Sequence, residues 1–137
     1  MPDTDLCVKL KDIELKNLKC QCGCGGIKLH SAIFLFAVEL FRRHREKITK
    51  ISSVYRCKKH NSDTPGSSPT SKHLDGRAID FHFDVKDYDL LGAITELVSD
   101  MGLHHINYSW GLHVDCRNLP EDHYDISKYL FENRLAK

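Results

Sequence analysis

The sequence lacks long apolar runs and a strong excess of charge of either sign. No stretch approaches the ~20 consecutive apolar residues of a membrane-spanning helix. Its 20 basic and 19 acidic side chains give a net charge of +1, too little for a general attraction to nucleic acid or anionic membrane. The opening residues, MPDTDLCVKLKD, also lack the basic start and apolar run of a secretory signal. We therefore expect synthesis in the cytoplasm without a signal peptide, no nucleic-acid partner and no membrane span.

The 137 residues suit one domain, residues 1–137, which we expect to be a monomer. Apolar residues recur at helical spacing from Ser31, a candidate cap, to about Lys47, and again from Asp87 to Gly102. A short helix is predicted from about Asp125 to Leu135. Residues 4–19 fit no element clearly.

Four β-rich segments separate and follow these helices. They are Ile48 to Tyr55, RAIDFHF, LHHINYS and GLHVDCR, the last two joined by a tight turn at Trp110 and Gly111. The stretch from Lys58 to Lys72 is rich in Ser, Asn, Asp, Gly and Pro, which predicts a long loop. This order predicts an α+β fold, with a small antiparallel sheet and helices packed on it.

Six cysteines are present, and three of them fall in the segment CQCGCGG. The missing signal argues against disulfides, because cytosolic cysteine clusters more often bind metal or stay reduced. Two interpretations stay open at this stage. Either Cys20, Cys22, Cys24 and Cys57 share a structural metal or a disulfide, or they are reduced thiols around a glycine-rich turn.

The segments SKHLDGRAID and GLHVDCR carry the residues best suited to chemistry. Strand alternation places Asp80 opposite the apolar face of its strand, and places His113 and Asp115 together on one face of theirs. If these strands are neighbours, Asp80 and His113 meet, and His73 can reach them from the preceding loop. Two imidazoles and a carboxylate are the protein ligands of many catalytic zinc sites, where the metal lowers the pKa of a bound water.

Ordinary alternatives exist for each of these residues. A histidine in a strand is more often a satisfied surface residue than a ligand, and a strand aspartate more often pairs with Lys or Arg. Strands disfavour Asp, however, and here two strands carry both Asp and His on the face away from the core.

SKHLDGRAID fits the pattern S-x-H-x-x-G-x-A-x-D, GLHVD fits a downstream H-x-D segment, and ISSVYRCKKHN resembles a strand that ends in S-G-Y-R, with Val54 in place of glycine. Over Ile48 to Arg117 the chain resembles the zinc D-alanyl-D-alanine carboxypeptidase family, which includes phage endolysins and the hedgehog signalling domain. CQCGCGG is similar to the start of some phage members.

The resemblance implies one zinc ion bound by His73, Asp80 and His113, with Ser71 at the site and Arg56 facing the substrate. It implies a peptidase that cuts peptidoglycan stem peptides, as a D-Ala-D-Ala carboxypeptidase or an endopeptidase. A phage or prophage lysin that reaches the bacterial cell wall after release would fit a chain of this kind.

The sequence departs from the best-known members at the general base. They carry Glu or His two or three residues before the last ligand, where this chain has Trp110 and Gly111. The alternative bases are Asp115, unless it orients a ligand histidine or pairs with Arg117, and His105 on the neighbouring strand. Tyr108 is a candidate donor to an oxyanion, and Trp110 a candidate wall of the cleft.

The missing base also motivates two other classes of function. One is a non-hydrolytic, zinc-containing wall-binding or structural phage module, which predicts bound zinc without turnover. The other is a cysteine-cluster zinc protein, whose metal would survive loss of His73 and His113 but not loss of Cys22 and Cys24.

Overall fold

The computed structural model describes residues 20, 22–24, 29–68 and 70–120. The helix predicted from Asp125 to Leu135 and the unassigned residues 4–19 lie outside these ranges. The described helices and strands are α1 (Ser31–His44), β1 (Lys50–Ser53), α2 (Lys58–Asp63), β2 (Ala78–His82), α3 (Tyr88–Asp100), β3 (His104–Tyr108) and β4 (Gly111–Asp115). No helix within this part of the chain is long and apolar enough to cross a membrane.

The four strands form one antiparallel sheet in the order β1-β2-β4-β3. The two strands that carry the metal-site motifs, β2 and β4, are therefore its central pair. This arrangement confirms the predicted α+β class with a small antiparallel sheet. It also brings together residues that are more than 30 positions apart in the sequence.

One face of the sheet is apolar and packs on the two longer helices. Ile79 and Phe81 of β2 and Leu112 and Val114 of β4 are fully buried on this face, as the alternation predicts. They share one core with the apolar faces of α1 and α3, and the ring of Phe36 in α1 lies 5.8 Å from that of Phe81. Each such side chain contributes about 1.5–3 kcal/mol by leaving water, so packing holds this face inward and leaves the other face for the site.

The helix starts show one success and one error of the sequence predictions. Asp87 caps α3 as expected, because its Oδ1 accepts the Leu90 N–H at 3.1 Å. Ser31 is not the cap of α1, since it is already the first helical residue. His30 caps instead, with Nδ1 accepting the Ala32 N–H at 3.0 Å.

The segment from Lys58 to Lys72 is not the continuous loop that its composition predicts. It begins with α2, whose cap is the Cys57 side chain, and its last residue opens a 3-10 turn, Lys72–Asp75. Asn61 is buried and its Nδ2 donates to the Ser68 carbonyl at 2.8 Å. Hydrogen bonds from polar side chains to the backbone supply the structure here, and apolar periodicity does not reveal them.

Candidate metal centre

The central strand pair places Asp80 directly opposite His113. Both side chains leave the sheet on the face away from the core, and the Asp80 Oδ1 lies 2.7 Å from the His113 Nδ1. Directly opposed residues of an antiparallel pair are close enough for such a contact. The register therefore brings together the first two predicted ligands.

His73 reaches the same carboxylate from the 3-10 turn that precedes β2. Its Nε2 lies 3.1 Å from the Asp80 Oδ2, and its side chain is only 2% exposed. Its Nδ1–H donates to the Val54 carbonyl at 2.7 Å, which fixes the ring and directs Nε2 into the site. Gly76 then ends the turn at φ 65°, a conformation that glycine adopts at little cost.

His113 is held from its other nitrogen by Asp115. The Nε2–H donates to the Asp115 Oδ2 at 2.8 Å, and Asp115 is itself fully buried. Arg117 pairs with the same carboxylate through Nε at 2.9 Å and Nη2 at 2.8 Å. Asp115 thus makes both contacts that its orienting interpretation predicts, and it contacts the ring nitrogen of His113 that does not face Asp80.

Hydrogen bonds shift the pKa values of His113, Asp80 and Asp115. Burial alone would lower the pKa of His113, but hydrogen bonds to Asp115 and Asp80 outweigh it and raise the pKa to about 9. Burial would raise the pKa of Asp80, but hydrogen bonds from His113 and His73 hold that pKa well below its usual range. The pKa of Asp115 is likewise low despite burial, because of hydrogen bonds from His113 and Arg117.

This donor set fits a divalent metal. The candidate ligand atoms of His73, Asp80 and His113 all lie within 4.8 Å of one another. Since Val54 occupies the His73 Nδ1 and Asp115 occupies the His113 Nε2, the ligand atoms left are Nε2 of His73 and Nδ1 of His113. Hydrogen bonds that fix the tautomer of a ligand histidine are a regular feature of zinc sites.

A cleft of about 640 Å³ opens over the three residues. Its described lining includes the cationic side chains of Arg56, Lys72 and Arg117, and, apart from the candidate ligand Asp80, no carboxylate. The charge around the site therefore favours an anionic group on whatever binds there. Ser71 also lines the cleft, as the resemblance implied.

Arg56 and Ser71 are joined at the edge of the site. The Arg56 Nη2 donates to the Ser71 Oγ at 3.1 Å, and the same Oγ accepts the His73 N–H at 3.2 Å. Burial lowers the pKa of Arg56, while the Asp80 carboxylate opposes that shift. The Nε of Arg56 is buried without a hydrogen-bond partner among the described residues, and the side chain contributes to the lining of the cleft.

Aromatic rings line one side of the cleft. Tyr108 and Trp110 both contribute to the lining, and their rings stack at 4.8 Å with an interplanar angle of 4°. Trp110 also stacks on His82 at 4.5 Å. The cleft-wall interpretation of Trp110 agrees with this geometry, and Tyr108 lies on the face that the ligands share.

The structure does not bring His105 to the site. His105 pairs with Val114, whose side chain is in the core, so it lies on the opposite face from His113. Its neighbour His104 is the histidine on the metal face, opposite Asp115, with its Nδ1 3.6 Å from the Asp115 Oδ2. Strand alternation could have identified His104 if the phase of β3 had been known.

Gly111 cannot be replaced by the Glu or His expected from the resemblance without moving the sheet. A Cβ at this position would lie 2.0 Å from the Phe81 carbonyl oxygen and 2.9 Å from the His82 Cα. Both obstacles are backbone atoms of the adjacent strand, so no rotamer change relieves the clash. Glycine is therefore required by the approach of β2 and β4.

Four cysteines form a second group of potential metal ligands. The thiols of Cys20, Cys22, Cys24 and Cys57 all lie within 4.8 Å of one another. None of the described cysteines, these four and Cys116, is in a disulfide. The disulfide alternative is thus not realised among the described residues.

This α+β domain presents an aspartate and a histidine from its sheet, and a second histidine from the turn before β2, to an open cleft, which is the ligand set of a catalytic metal site. The model of the family described as Peptidase M15 matches residues 8–115, and the chain belongs to that family. The family predicted from the sequence resemblance is confirmed. Neither a comparison with curated proteins nor one with solved structures found a significant match.

Proposed function

We propose that this chain is a zinc-dependent peptidase that hydrolyses a peptide bond in the stem peptides of bacterial peptidoglycan. The observation that carries the proposal is the pairing of Asp80 with His113, completed by His73, at the floor of the cleft. Family membership supports a metallopeptidase. The fold we propose is that of the hedgehog and D-Ala-D-Ala peptidase group, and the cellular role is that of a phage or prophage lysin acting at the wall.

His73, Asp80 and His113 would hold the zinc ion. A zinc ion with three protein ligands lowers the pKa of a bound water and polarises the carbonyl of the substrate. With the metal bound, Asp115 would keep the proton on the Nε2 of His113, so that the lone pair of Nδ1 would be available to the metal. In this arrangement Asp115 orients His113 and does not act as the general base.

The cationic lining narrows the substrate class. Arg56, Lys72 and Arg117 line the cleft. Since Arg117 already pairs with Asp115, Arg56 is the arginine that can offer hydrogen bonds to a substrate carboxylate. A peptide with a free carboxylate beside the scissile bond would match this lining, which favours D-Ala-D-Ala carboxypeptidase action over opening of a cross-link. Arg56 and Tyr108, which both line the cleft, would also donate to the oxygen that gains negative charge during attack.

One observation favours a second candidate function. Every carboxylate and histidine among the described residues that line the cleft belongs to the candidate ligand set. None of the others in this lining can therefore accept a proton as a carboxylate or an imidazole. A zinc-containing module that binds the wall without cutting it would have this composition. The two candidates differ in turnover and agree on metal content.

The experiment that tests the proposal is digestion of purified peptidoglycan by the zinc-loaded chain, read by mass spectrometry with and without a chelator. We expect released D-alanine that disappears with the chelator. The His113→Ala variant should be inactive, while His105→Ala, on the other face of the sheet, should be active. Bound zinc with no product from several wall chemistries would reject the peptidase and favour the binding module.

A further inference from the structure

Hydrophobic burial does not explain why the four cysteine thiols lie close together. Cys20 is buried, but Cys22 and Cys24 are exposed and Cys57 is partly exposed. Cys57 comes from the start of α2, 35 residues after Cys22. Burial of sulfur from water therefore cannot explain why three surface thiols from two distant segments meet.

The spacing of the sulfurs matches a tetrahedral metal. Zinc–sulfur bonds of about 2.3 Å place the four sulfurs of a tetrahedron about 3.8 Å apart. The Cys20 and Cys22 sulfurs are 3.4 Å apart, the Cys22 and Cys57 sulfurs are 3.7 Å apart, and all four lie within 4.8 Å of one another. A disulfide would need about 2.05 Å between two sulfurs.

The backbone around the cluster is arranged to support charged sulfur. The Cys57 N–H donates to the Cys20 Sγ at 3.4 Å, and the His60 N–H donates to the Cys57 Sγ at 3.4 Å. Gly23, between two of the cysteines, has φ 89°. That left-handed conformation, which glycine adopts readily, reverses the chain so that the thiols on both sides of it point to one centre.

We propose that Cys20, Cys22, Cys24 and Cys57 form a closed tetrathiolate zinc site with a structural role, separate from the His73–Asp80–His113 centre. A zinc ion with four protein ligands has no open position for substrate, which distinguishes structural from catalytic sites.

The site ties the cysteine-rich turn to the segment that shapes the cleft. Cys57 directly follows Arg56, whose N–H donates to the His73 carbonyl at 3.1 Å. Val54, two residues before Arg56, has the carbonyl that fixes the His73 ring. Metal at the cluster therefore fixes the segment that holds both a candidate ligand and the guanidinium of the cleft.

The test is the metal content of the full-length chain, expressed with added zinc and measured by plasma mass spectrometry. We expect about two zinc ions in the unaltered chain. One should remain when Cys22→Ser and Cys24→Ser are combined, and one when His73→Ala and His113→Ala are combined. Cys116→Ala removes a buried thiol outside the cluster and should leave both ions.

Cobalt replacement tests the same site by a spectrum that is recorded first without any cysteine substitution. The chain with His73→Ala and His113→Ala, loaded with Co²⁺, should show the sulfur-to-cobalt charge-transfer absorption of a thiolate site. Adding Cys22→Ser should weaken this absorption. Hydrogen exchange at residues 54–57 should be faster in the Cys22→Ser variant than in its parent chain.

Three results would overturn the proposal. They are a single zinc ion that disappears with His73→Ala and His113→Ala, cobalt spectra without thiolate bands, and a mass two hydrogens lower that reveals a disulfide. The proposed peptidase does not depend on this site. A single zinc ion lost only with the cysteine variants would support the tetrathiolate site and count against the catalytic centre instead.

Discussion

The Asp80 carboxylate and the His113 imidazole face each other across the central strand pair, with Oδ1 2.7 Å from Nδ1. The contact depends on register, because a shift of one residue would move one partner to the core face. Burial of Phe81 and Leu112 on the other face opposes such a shift. The same apolar packing that stabilises the sheet thus sets the geometry of the candidate metal centre.

Removal of one ligand should remove the metal from this centre. We expect His113→Ala to lower zinc affinity at the site by orders of magnitude, because two protein ligands remain where three are needed. Titration with a competing chelator measures this affinity. The matched control is His105→Ala, because His105 pairs with Val114 and lies on the core side of β3. Unchanged affinity in His113→Ala would reject the ligand set.

The orienting role of Asp115 predicts a defect in metal binding and not in proton transfer. Loss of the partner of a ligand histidine typically costs about 10–100-fold in metal affinity or activity. Asp115→Ala should therefore bind zinc about 10–100-fold more weakly, and most of its turnover should return when zinc is saturating.

If Asp115 were the general base, its substitution would give the opposite pattern. Asp115→Asn would then keep its zinc and lose turnover that no added zinc restores. Measuring turnover as a function of zinc concentration in both variants separates the two roles.

Arg56 should contribute to turnover without contributing to metal binding. Loss of one donor to a developing oxyanion typically costs about 10²–10³-fold in kcat, and we expect a loss of this size for Arg56→Ala with zinc content unchanged. Arg56→Lys should recover little, because lysine lacks the planar pair of donors. A suitable control is Lys58→Ala, an exposed cation outside the lining of the cleft. Normal kcat/KM in Arg56→Ala would exclude the role.

The fold and the core face could be read from the sequence, but the phase of one strand could not. β2 and β4 each have an unbroken apolar row, so alternation assigns Asp80 and His113 to the correct face. β3 is an edge strand whose residues are all at least partly exposed. Its pattern therefore does not distinguish His104 from His105, and only pairing with β4 does.

The cysteine cluster shows a second limit of sequence reasoning. The cysteine content suggested that Cys20, Cys22, Cys24 and Cys57 share a metal or a disulfide, but the position of the Cys57 thiol depends on where α2 begins. That helix is short and is capped by the Cys57 side chain itself. Since its composition is that of a loop, local patterns do not predict where this thiol lies.

The aromatic side of the cleft should affect substrate binding more than chemistry. Trp110 stacks between His82 and Tyr108, and its contact with a substrate would be similar in the ground and transition states. Trp110→Ala should therefore raise KM about tenfold or more with a smaller change in kcat, as expected for uniform binding. Tyr88→Ala, at a residue that is 76% exposed at the start of α3, is the control. A fall in kcat at constant KM would contradict this role.

Glycine at position 111, two residues before His113, should be a structural requirement of the sheet. In Gly111→Ala the new Cβ meets the Phe81 carbonyl at 2.0 Å, and overpacking of this kind costs about 1–3 kcal/mol or more because backbone must move. Gly92→Ala is the matched control, since nothing lies within 4 Å of its Cβ position in α3 and alanine should stabilise a helix by about 0.5–1 kcal/mol. Chemical denaturation of both variants measures the two free energies of unfolding. Equal stability of Gly111→Ala and the unaltered chain would mean that the sheet can accept a side chain there, and the missing base would then require an explanation other than packing.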